Sequence, residues 1–70
     1  MKFLRRQEES LATRYLLWQY QKNQIPTPPY EELEKQACQI VDDAHRIARE
    51  RGSNLISIIK ELAHDFIKKR

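Results

Sequence analysis

The sequence predicts an all-α fold, a small antiparallel three-helix bundle. Three observations carry this. All three prolines fall between Pro26 and Pro29 and the only glycine is Gly52, so the chain has two clear breaks. Between the breaks it is rich in Glu, Gln, Lys, Arg, Leu and Ala, which favour helix. Apolar residues recur at steps of three and four, with no strand alternation and no internal repeat. Seventy residues predict one helical domain spanning residues 1–70.

The first helix is expected from about Arg5 to Asn23. At about 100° per residue, Leu4, Leu11, Tyr15 and Trp18 fall on one narrow stripe flanked by Ala12. Leu16, Leu17 and Tyr20 lie off that stripe. They make Tyr15-Leu16-Leu17-Trp18-Gln19-Tyr20 apolar nearly all round, more than one partner helix covers. The segment Gln24-Ile25-Pro26-Thr27-Pro28-Pro29 is a stiff linker, because proline pushes the residue before it to extended geometry.

The second helix is expected over about Pro29 to Arg51, started by Thr27 or Pro28. Glu31, Glu32 and Glu34 complement its positive end, and Arg46, Arg49 and Arg51 its negative end. Its core stripe is Leu33, Ala37, Ile40, Ala44 and Ile47, preceded by Tyr30 and widened by Val41 and Ala48. Gly52 supplies a left-handed cap. Ser53 or Asn54 then caps a third helix over about 54–69. There Leu55, Ile59, Leu62 and Phe66 form the centre, Ile56, Ala63 and Ile67 one flank, and Ile58 the other; Lys68, Lys69 and Arg70 close it.

The short turn at Gly52-Ser53 makes helices two and three an antiparallel hairpin. The first helix packs across its groove. Ala37, Ala44, Ala48 and Ala63 let the backbones approach. In a chain this short, apolar burial and the entropy of ordering nearly balance. The fold must use nearly every apolar side chain, or gain area by self-association.

Composition narrows function. One cysteine excludes an internal disulfide and suggests a reducing cytoplasm. No run approaches membrane-span length. The basic start Met1-Lys2-Phe3-Leu4-Arg5-Arg6 leads into Gln7-Glu8-Glu9-Ser10 rather than an apolar signal core. The net charge of +3 permits weak attraction to nucleic acid or acidic proteins without demanding it.

Cys38, Asp42 and His45 share one helix face, continued by Glu34 and Arg49, and are the residue types of a nucleophile, an orienting carboxylate and a base. However, Cys38 and His45 stand seven residues apart, about 10 Å along the axis, too far for a nucleophile and its base. The expectation is a half-buried thiol and an Asp42–His45 surface pair. One glycine cannot build a phosphate loop, and no Cys-x-x-Cys or His-Glu-x-x-His is present. No catalytic, metal or cofactor site is expected.

The apolar surplus is the strongest functional signal: Leu16, Leu17 and Tyr20 on the first helix, and Ile58 or Ile67 on the third. Either these residues complete a small core that uses every apolar side chain, or they mark a partner surface, where Tyr and Trp are favoured. The preferred reading is a non-enzymatic protein-interaction module, with a homodimer as its simplest form. Its expected contact surface involves Tyr15, Leu17, Trp18 and Tyr20.

An alternative is a weak nucleic-acid-binding accessory protein, if Arg5, Arg6, Arg46, Arg49 and Arg51 converge. A helix-turn-helix is a poor match, because Leu55-Ile56-Ser57-Ile58-Ile59 is too apolar to read base edges. A third reading comes from Gly52 to Lys68 with the helix before it. Its Ile59-Lys60-Glu61-Leu62-Ala63-His64 is faintly similar to the small helical-hairpin phosphatases of aspartyl-phosphate response regulators, which carry Ser-Gln-Glu-Leu-Asp there. Glu61-Leu62 matches, the Ser-Gln pair is absent and Ala63 stands at the acidic position. That resemblance, over less than half the chain, implies a regulator of response-regulator phosphorylation.

Overall fold

The computed structural model describes residues 2–52 and 54–68, with side chains from residue 4. Its elements are α1 (Lys2–Lys22), α2 (Tyr30–Arg51) and α3 (Leu55–Lys68). Each helix packs against both others, so the predicted three-helix bundle is the fold observed. α1 begins three residues earlier than expected. Among the described residues, no helix is long and apolar enough to cross a membrane.

The helix ends follow local chemistry. α2 begins one residue later than expected, at Tyr30, with Pro29 at its N-cap and no side-chain cap. Pro28 cannot start the helix, because Pro29 forces it to extended geometry. The Pro29 carbonyl instead accepts from the Leu33 N–H at 3.0 Å. Gly52, at φ +69°, closes α2 by donating to the Ala48 carbonyl at 2.7 Å. Asn54 caps α3, its Oδ1 accepting from the Ile56 N–H at 2.8 Å. Ser53, Lys69 and Arg70 lie outside the described residues.

The end of α1 holds a feature the sequence does not advertise. Gln24 has a positive φ of 57°. Its N–H donates to the Gln21 carbonyl and the Ile25 N–H to the Tyr20 carbonyl, at 3.1 and 2.9 Å. This is a Schellman ending with glutamine where glycine is usual, and Ile25 folds back against the core. A side chain in left-handed geometry costs about 1–2 kcal/mol, partly offset because glycine gives the unfolded chain more freedom. Gln24→Gly should therefore stabilise the fold by about 0.5–1 kcal/mol; a shift of the urea midpoint at constant slope checks this.

The core draws on all three helices. α1 contributes Ala12, Leu16 and Tyr20; α2 contributes Leu33, Ala37, Ile40, Val41 and Ala44; α3 contributes Ile58, Ile59, Ala63 and Ile67. Buried alanines on each helix bring the backbones together. Between α1 and α2 the Tyr20 hydroxyl donates to Gln36 Oε1 at 3.0 Å, inside the core.

Of the two readings of the apolar surplus, burial selects core completion for Leu16, Tyr20, Ile58 and Ile67. The stripe of Leu4, Leu11, Tyr15 and Trp18 divides: Tyr15 packs half-buried against the core, while Leu4 and Trp18 are 55% and 53% exposed. The face of α1 that packs is rotated from it by about 130° at about 100° per residue. Tyr30, expected to extend the α2 stripe, is also exposed.

The folded chain exposes 5332 Å², against about 12,300 Å² for an unfolded chain of 8.5 kDa. With about 60% of the difference apolar, burial contributes about 105 kcal/mol at about 25 cal/mol per Å². Ordering the chain costs about 105 kcal/mol at about 1.5 kcal/mol per residue. The bundle sits close to the edge of stability. Size scaling gives a monomer of this mass about 4,650 Å², so this one leaves about 700 Å² more than that in water.

Candidate interaction surface

Two faces carry the sequence-predicted residues. The first is where the N-terminal half of α1 meets the C-terminal half of α2. Arg5, Glu8, Asp42, His45, Arg46 and Arg49 line one open groove there, beside Leu4. Arg5 is its hub. Its Nε reaches Glu9 Oε2 and its Nη2 reaches Asp42 Oδ1, both at 2.7 Å. Nη2 also lies 3.4 Å from the Cys38 carbonyl and 3.3 Å from the Cys38 Sγ. Glu9, then Asp42, raise the guanidinium above its ordinary pKa against the opposing effect of burial, so its charge is fixed.

His45 is not paired with Asp42 as expected. Its Nε2 lies 2.7 Å from Glu8 Oε1, while Asp42 serves Arg5. Both partners come from α1, 37 positions away in the chain, so the i,i+3 spacing within α2 misled. Cys38 is half-buried, as expected. Among the described residues, no cluster of His, Cys, Asp and Glu has the makings of a metal site.

The predicted basic set is thus only partly assembled. Arg5, Arg46 and Arg49 converge, but Glu8 and Asp42 share their groove and Arg5 is held by two carboxylates. Arg46 lies 3.7 Å from Asp43. Arg6 lines a different groove, with Glu9, Thr13, Tyr30 and Glu34. Arg51 is the last residue of α2. Salt pairs at the surface, not a continuous phosphate track, describe this end. Arg5→Met should lower stability by about 1 kcal/mol. Most of that difference should vanish in about 1 M salt, where screening is short-ranged; paired urea titrations at low and high salt measure it.

The second face lies along α1 and α3. Leu11, Arg14, Tyr15, Trp18, Lys60, Glu61 and His64 are among the residues that line a groove there. A neighbouring groove is lined by Leu4, Leu11, Arg14, Leu55 and Ile56, and the two grooves share Leu11 and Arg14. Lys22 Nζ stands 4.7 Å from the Trp18 ring centre, and Lys60 Nζ 5.5 Å from that of Tyr15. These contacts hold the rings by their faces while leaving most of Trp18 in water. Leu4, Trp18 and Ile56, each about half exposed, give the face an apolar character.

The expected contact set Tyr15, Leu17, Trp18 and Tyr20 therefore divides. Tyr15 and Trp18 line the α1–α3 groove, Tyr15 half-buried against the core and Trp18 about half exposed. Leu17 is half-buried against the core and lies about 160° around α1 from Tyr15 at about 100° per residue. Tyr20 is 1% exposed and cannot meet a partner, a correction forced by its burial. Leu4, Leu11 and Ile56, outside that expected set, line the same face; the rotation of α1 in the bundle, which periodicity alone does not fix, brings them there. Of the resemblance segment, Ile59 and Ala63 are buried, while Glu61 and His64 line the α1–α3 groove. Comparison with family models, curated proteins and solved structures finds no match to this chain.

Proposed function

We propose that this chain is a non-enzymatic protein-interaction module whose contact surface is the α1–α3 face carrying Leu4, Leu11, Tyr15, Trp18 and Ile56. One observation carries the reading: the largest aromatic side chain of the chain and three aliphatic ones lie on a single face, outside the buried core. A marginal bundle that leaves such groups in water forgoes burial it needs. Contiguous apolar surface of this kind is the usual mark of a docking site, and tryptophan and tyrosine are the side chains from which binding energy is most often drawn.

The test places a photoreactive phenylalanine analogue at position 18, at position 56 and, as a control, at exposed Lys35 on α2. Irradiation in cells of the natural host should give covalent protein adducts at 18 and 56 but not at 35. Absence of adducts at both 18 and 56, or equal adducts at all three, overturns the reading.

A further inference from the structure

We infer that the occupant of this face is a second copy of the chain, docked with the two α1 helices antiparallel about a two-fold axis at Leu11. The inference rests on the interaction reading above and adds its partner and its geometry. Leu4, Leu11 and Trp18 are spaced seven residues apart on α1, the interval at which one side of a helix can follow a neighbouring helix. In an antiparallel pair centred on Leu11, residue i comes level with residue 22 minus i of the other copy. Trp18 then meets Leu4, and each Trp18 approaches the groove on its mate whose apolar lining is Leu4, Leu11, Leu55 and Ile56. A large exposed ring and the groove to receive it lie on one face, about 21 Å apart along the helix at about 1.5 Å per residue. A two-fold axis uses both twice, as a self-complementary interface requires.

Charge selects the same arrangement. In the antiparallel register Glu8 comes level with Arg14 and Gln7 with Tyr15. A parallel pair would set Glu8 against Glu8 and Arg14 against Arg14, and would leave Trp18 facing Trp18. With three half-exposed apolar side chains per copy at its centre, Leu4, Trp18 and Ile56, the contact is small, so a reversible dimer follows rather than an obligate one.

Sedimentation equilibrium from roughly 10 µM to roughly 1 mM, the range for weak association, should show the mean mass climbing from one chain toward two. Trp18→Lys should hold at one chain throughout with unchanged helical circular dichroism, because the ring contributes little to the core. Cysteine pairing then tests the register in a Cys38→Ser background. Leu11→Cys should oxidise to a covalent dimer on its own. Glu8→Cys and Arg14→Cys, which leave Trp18 and Leu4 in place, should cross-link to each other when mixed, at least tenfold faster than either alone. A mass of one chain at every concentration overturns the inference, as do 8–8 and 14–14 pairs forming as fast as 8–14. If the chain stays monomeric while the position-18 photoprobe captures a different protein, the self-pairing fails and the interaction reading stands. If the photoprobe captures nothing, both fail.

Discussion

Leu16→Ala is expected to leave most of the chain unfolded at 25 °C. Leu16 is wholly buried on the packed face of α1, within the core cluster that includes Ala12 and Tyr20. Removing three carbons there loses their transfer free energy and leaves a cavity, together about 2–5 kcal/mol. Collapse cannot heal the site easily, because Ala12, Ala37, Ala44 and Ala63 already hold the helices close. Native domains carry only about 5–15 kcal/mol of net stability, and one this short lies at or below the lower end. Circular dichroism at 222 nm with a urea titration measures the outcome. Trp18→Ala, a larger truncation on the same helix, is the informative contrast and should cost less than about 1 kcal/mol in the dilute monomer. If the two variants rank the other way, the packed face of α1 is wrongly assigned.

Tyr20→Phe is the second large effect expected, at about 1–3 kcal/mol from the loss of one oxygen. The Tyr20 hydroxyl is the donor to Gln36 Oε1, and Gln36 is only 6% exposed. Without that donor the amide oxygen is stranded away from water, so the cost is set by desolvation rather than by the modest net worth of a hydrogen bond. The double variant Tyr20→Phe with Gln36→Met removes both polar ends. It should be more stable than the sum of the single changes predicts, with a coupling of about 1 kcal/mol or more in a double-mutant cycle. Strict additivity would mean that water already satisfies Gln36.

The sequence made the elements legible because their boundaries are chemical. Gly52 is the one residue that takes a positive φ without strain, and Asn54 is a ready cap. The three prolines leave nowhere else for the linker. The α2 stripe is equally clear, since Leu33, Ala37 and Ile40 share one side of the helix and charged residues such as Lys35 and Asp42 the other. The rotation of α1 was not legible. Its middle turns are apolar on nearly every side, so periodicity offers more than one face. Side-chain size favoured Trp18 and Leu4, whereas packing favoured Ala12, small enough for close approach, and Tyr20, whose polar end has Gln36 to meet. Gln24 hid for a related reason: glutamine gives no hint of left-handed backbone, which its neighbours impose through the hydrogen bonds of Tyr20 and Gln21. Partnerships between helices were the least accessible. Arg5 with Asp42 and Glu8 with His45 need the tertiary register before they can be drawn. Of the proposed contact surface, Tyr15 and Trp18 belong to the set the sequence suggests, and Leu4, Leu11 and Ile56 do not.

The chain has a single tryptophan, and it stands outside the core. Its intrinsic fluorescence is therefore a poor gauge of denaturation: emission from dilute protein should already be red-shifted and open to acrylamide quenching, and urea should alter it little. The same residue becomes a built-in reporter of docking. Where the ring is covered, its emission moves to shorter wavelength and the quencher is shut out, so occupancy of this face can be followed by light alone, without attaching a dye.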